Sequence, residues 1–175
     1  MHQINWTQLF GLTAFGLAGV SHCLAAVQTP TKQRQSRRWW LILSALYILI
    51  CFELIENFRH DLLNYIGITM SLGEHYNERQ PIQIIALFVI ASSVIWLIFV
   101  LRNAQIIEYL GWALIAGVCT ICLFMLEVVS LHQMDAVLYQ PAGPVLLIGW
   151  LWLLCGLAAT AIAFKASFKV RSHWS

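Results

Sequence analysis

The sequence predicts an all-α integral membrane protein, a bundle of five transmembrane helices with its N-terminus outside and its C-terminus inside. Three observations carry that expectation. Of the 175 residues, 60% are hydrophobic and 10% charged, more apolar surface than a water-soluble chain of this length can hide behind a polar exterior. Five apolar stretches each approach the roughly 20 residues that a helix needs to cross a hydrocarbon core of about 30 Å. Once those stretches are drawn, seven of the eight acids and four of the six histidines fall on one side, opposite eight of the ten bases.

The first span, about 9–27, ends at Thr29-Pro30, where proline cannot continue a helix. Gly11, Ala14, Ala18, Ser21 and Ala25 share one narrow face of it, suited to close approach by a neighbouring helix. Residues 1–8 carry no Lys or Arg, unlike the basic start of a signal peptide, so the span is expected to be a retained helix. The second, 39–58, opens on Trp39 and Trp40, which fit interfacial anchoring. The longest loop, 59–81, has enough Leu, Ile, Tyr and Met over 61–72 to lie along the membrane surface. Gln80-Pro81 precedes the third span, 82–101, and a short polar break separates it from the fourth, 106–131. The run from Pro141 to Pro144 introduces the fifth, 145–164, where Gly156, Ala159 and Ala163 make a second small face. No repeat or second domain interrupts residues 1–175, which read as one polytopic membrane domain.

Orientation follows from the bases. Lys32, Arg34, Arg37, Arg38, Arg102, Lys165, Lys169 and Arg171 lie on one side and only Arg59 and Arg79 on the other. Bases favour the cytoplasmic face, which puts the acidic side outside; in a bacterium this is the periplasmic face of the inner (plasma) membrane. The net charge of +2 is the residue of two opposite poles, and nucleic acid is not an expected partner. The bilayer is, together with further membrane subunits or a second copy of the chain. All five cysteines fall within the spans and are expected to be small buried thiols at helix interfaces. Cys119-x-x-Cys122 has redox-motif spacing but sits in mid-membrane.

The candidate site is the acidic side. Glu53 and Glu127 lie inside predicted helices at matching depth, where a carboxylate is costly and therefore marks a functional position. At about 100° per residue, Glu53, Glu56, Asn57 and His60 share a sector of the second helix, with Glu56 and His60 four apart. The fourth helix offers Glu127 and, beyond it, His132 and Asp135, whose carboxylate can hold the imidazole ring by its second nitrogen. Glu53, Glu56, His60, Glu127, His132 and Asp135 together make a donor set suited to a divalent transition metal, in a redox, metal-handling or metalloenzyme role. Carboxylate-bridged metal pairs of four-helix bundles use Glu-x-x-His spacing, whereas here the pair is Glu56-x-x-x-His60.

Two other readings compete. A non-catalytic subunit or assembly factor of a larger membrane complex would use the same cluster as a polar lock between helices. A small quinol-linked cytochrome would bind haem b through His60 and His132. The chain holds no Gly-x-Ser-x-Gly, Gly-rich phosphate loop or His-Glu-x-x-His, so no particular reaction is read from it. His22, near the other end of the first helix, is expected to be a hydrogen-bonded interface histidine beside Ser21.

Overall fold

A computed structural model describes residues 5–56, 80–103, 108–129 and 137–172. Helix α1 (Trp6–Gln28) starts at Asn5, whose side chain accepts the Gln8 backbone N–H at 3.2 Å, taking up one of the amides that a helix start leaves without a partner. It stops at Thr29, whose backbone N–H and hydroxyl both donate to the Ala25 carbonyl, and Pro30 follows. A 3₁₀ turn, Thr31–Gln33, leads straight into α2 (Arg34–Glu56). Helices α3 (Gln80–Asn103) and α4 (Glu108–Val129) come next. A short antiparallel hairpin, β1 (Pro141–Ala142) and β2 (Val145–Leu146), then feeds α5 (Leu147–Ser172).

All five expected helices are present, with shifted ends. The second begins at Arg34 rather than 39, because the 3₁₀ turn hands the chain directly into helical geometry. The fifth begins at Leu147, and Val145 and Leu146 are strand rather than helix. Gly143, with φ of +76°, occupies the first position of the two-residue loop, a conformation that suits glycine, and Pro144 fixes the second. At its other end α5 continues past 164 through Lys165 and Lys169 to Ser172.

The distribution of polarity is that of a membrane protein. Large apolar side chains face outward on every helix, among them Leu17, Val20, Leu24, Ile48, Leu49, Phe52, Phe88, Ile95, Phe99 and Phe164. Ser21, His22, Ser44, Thr120, Glu127 and Ser167 are buried. Water would oppose both features, whereas lipid favours apolar contact outside and internally satisfied polar groups. Four helical segments, Trp6–Gln28, Thr31–Glu56, Tyr109–Glu127 and Leu147–Lys169, are long and apolar enough to cross a membrane; on α3 the apolar stretch among the described residues is Leu87–Leu101.

Successive helices alternate in direction, as their packing layers show. One layer joins Phe15 and Ala18 of α1, Tyr47, Ile50 and Leu54 of α2, Phe124 of α4 and Ile148, Trp152 and Ala159 of α5. The other joins the opposite ends of the same helices, from Ala25, Trp40, Leu110 and Ala163, with Val100 of α3. Helix α1 lies between α2 and α5. It approaches α5 closely at Gly156, where a Cβ would fall 2.6 Å from Ala14 Cβ and 2.7 Å from the Ala14 carbonyl carbon. Against α2, the Ser44 hydroxyl donates to the Gly19 carbonyl at 2.8 Å. Helix α3 packs on α4 and reaches α2 through the edge-on pair Trp39–Trp96.

The cysteines depart from expectation in part. Cys51, Cys122 and Cys155 are half-buried, but Cys23 and Cys119 face outward, and all five are free thiols. A thiol is a small hydrophobe, so a lipid-facing position costs it little and burial is not required.

Candidate functional site

The acidic end of the bundle is built around Trp152. Its position on α5 is three residues from Gly149 and four from Gly156, so a large ring stands in a stripe of small residues. The ring occupies the space over Gly11, where an added Cβ would meet Trp152 Cε3 and Leu54 Cδ1, each at 2.8 Å. Trp152 also stacks on Phe124 with centroids 5.8 Å apart and planes 15° from parallel, and Phe124 meets Phe15 at 5.8 Å. One indole therefore touches α1 and α4 from α5 and lies beside the end of α2.

Trp152 Nε1 donates a hydrogen bond of 2.9 Å to Glu127 Oε1, with both residues buried. In surroundings this apolar, a charge-accepting oxygen and an indole N–H each need the other. The bond also fixes where the carboxylate points.

The neighbouring helix ends are fastened as well. Gln8 Nε2 donates to the Leu54 carbonyl, tying α1 to α2. The Leu146 backbone N–H donates to Thr7 Oγ1 at 3.1 Å, and Trp150 Nε1 to the Ala142 carbonyl at 2.9 Å. The hairpin is thus tied to both α1 and α5.

Of the six expected donors, three are on described helices. Glu127 is buried, Glu53 is half-buried and Glu56 is exposed. Helices α2 and α4 touch directly, since a Cβ on Gly117 would lie 2.8 Å from Leu43 Cδ2 and 3.6 Å from Leu46 Cδ2. The two helices run the same way, so Glu53 and Glu127 stand on the last described turns of adjoining, parallel helices. His60, His132 and Asp135 lie outside the described residues. Among the described residues, no three His, Cys, Asp or Glu side chains are grouped so as to hold a metal ion.

The opposite end carries the bases. Lys32, Arg34 and Arg38 are exposed around the start of α2, and Lys169 Nζ sits 5.1 Å from the centre of the Tyr109 ring, a cation–π contact joining the end of α5 to the start of α4.

Trp152 is the residue that sequence reasoning missed. Its signal was available: a large aromatic with an N–H to satisfy, in helical register with Gly149, Gly156 and Ala159, must face a neighbour rather than lipid. Comparison with protein-family models, curated proteins and solved structures finds no match for this chain.

Proposed function

We propose that the chain crosses the membrane five times, N-terminus outside, and binds a divalent transition metal at its outer end through Glu127 and Glu53. Glu56, His60, His132 and Asp135 are the further donors. The observation that carries this reading is the Glu127 carboxylate, buried and aimed by Trp152, on the helix that packs against the one bearing Glu53. Ligands on rigid, touching helices are the arrangement from which bundle metal sites are made. At 24 residues, α3 is about 36 Å long, enough for the third crossing. The eight bases at the other end argue for that end being cytoplasmic, which in a bacterium makes this an inner-membrane protein. Its role is then metal handling, redox chemistry or a metalloenzyme reaction at the outer surface.

Titration of detergent-solubilised, metal-stripped protein with Mn²⁺, reading the free ion by its EPR signal, tests the site. One ion bound per chain, with affinity reduced at least tenfold in both Glu53→Gln and Glu127→Gln, is the expected result. Unchanged binding in both variants would refute the assignment.

A second reading is favoured by the same indole–carboxylate bond taken as a helix fastening: a non-catalytic subunit or assembly factor of a larger membrane complex. Under it, Glu127→Ala impairs assembly with partner subunits and leaves metal content unaltered. The cytochrome reading rests on His60 and His132 alone.

A further inference from the structure

Deep in the bundle, away from the acidic end, two polar groups meet. His22 of α1 is fully buried, with its ring centre 5.0 Å from that of Tyr47 and 5.4 Å from that of Trp40, both on α2. Its Nδ1 lies 2.7 Å from the Ala18 carbonyl oxygen. A carbonyl only accepts, so Nδ1 carries the proton, and in the neutral ring Nε2 is then a bare acceptor. Nε2 is buried with no hydrogen-bond partner among the described residues. The Tyr47 hydroxyl, on a side chain that is likewise fully buried, has none either. Thr120 of α4 lies alongside it; the Thr120 hydroxyl donates its own proton to the Ala116 carbonyl at 2.9 Å and keeps its lone pairs to accept.

Leaving two such groups unsatisfied in an apolar interior is expensive, and buried polar atoms without protein partners are the usual hosts of internal water. We propose that His22 and Tyr47 form the site of a structural water molecule in the core of the bundle. Water donates one hydrogen to His22 Nε2 and accepts the Tyr47 hydroxyl proton, and its second hydrogen is available to the Thr120 oxygen. A network of this kind joins α1 to α2 and α2 to α4 at mid-bundle. No proton changes owner, so the site is a fastening and needs no co-reactant.

The test uses the intact protein in detergent micelles or bilayers with ¹⁵N-labelled histidine. The expected spectrum assigns His22 as the Nδ1–H tautomer, with its Nε2 in magnetisation exchange with a long-lived bound water; an Nε2–H tautomer, or an Nε2 with no water contact, would overturn the proposal. A double-mutant comparison reads the same site independently. His22→Phe and Tyr47→Phe each lower the unfolding midpoint by a few degrees, and the double variant falls no further than the worse single one. Strictly additive losses count against a shared water, as does a Tyr47→Phe variant that retains the His22–water signal unchanged.

Discussion

Gly156→Val should be the most damaging single substitution in the described bundle, because it forces α1 and α5 apart where their backbones meet. Even the first added carbon would stand 2.6 Å from Ala14 Cβ, 2.7 Å from its carbonyl carbon and 2.9 Å from its carbonyl oxygen. Two of those atoms are backbone, so no side-chain rotation relieves the clash. Helix α1 or α5 must move, and movement pulls Trp152 from over Gly11. Overpacking in a dense core costs about 1–3 kcal/mol, and the backbone contact puts valine here at or above the upper end. Reversible unfolding in mixed micelles should show the loss. Gly16→Ala on α1 is the contrast: a Cβ there meets nothing within 4 Å, and alanine in a helix interior is favoured over glycine by about 0.5–1 kcal/mol. Equal effects at the two positions would mean that the α1–α5 approach is not the one described.

Trp152→Phe should cost more than Glu127→Gln, although both alter the same bond. Phenylalanine preserves much of the stacking on Phe124 but removes the N–H, leaving Glu127 Oε1 without the donor that lies 2.9 Å away. Removing one partner of a buried hydrogen bond costs about 1–3 kcal/mol. Glutamine keeps a carbonyl oxygen that can accept from the indole, so its penalty should be small. Metal binding should show the reverse order, since the amide of Glu127→Gln is a poor metal ligand while Trp152→Phe leaves the carboxylate in place. Unfolding free energies and bound metal measured on both variants therefore separate fastening from ligation. If Glu127→Gln leaves bound metal unchanged, Glu127 is not a ligand, and if Trp152→Phe leaves stability unchanged, the indole–carboxylate bond is not a fastening.

The helices were legible because hydropathy over 20 residues is a strong, local signal. The same counting puts Glu53 and Glu127 toward the ends of the second and fourth helices, and both stand on the last described turns of α2 and α4. The small faces of α1 and α5 were legible too, and Gly11, Ala14, Ala18, Gly156 and Ala159 are buried. What was not legible depends on which helices touch. The bond from Trp152 to Glu127 joins residues 25 apart in sequence on different helices, and no periodicity within either helix names the other. The hairpin before α5 was overlooked because a hydrophobic Val145-Leu146 pair reads equally as strand or as the first turn of an apolar helix. The outward positions of Cys23 and Cys119 were missed because a thiol is nearly indifferent between lipid and core. For His22 the sequence indicated an interface histidine beside Ser21. The structure adds that both side chains donate to one carbonyl, that of Ala18, leaving Nε2 for a different partner.

The most direct test of the metal site is elemental analysis of untagged protein purified in mild detergent without chelator, wild type beside Glu127→Gln. The account predicts close to one equivalent of iron, copper, manganese or zinc per wild-type chain, falling at least tenfold in the variant while the helical content stays the same. Wild-type protein that holds no metal even after reconstitution, or a variant that holds as much as wild type, would contradict it.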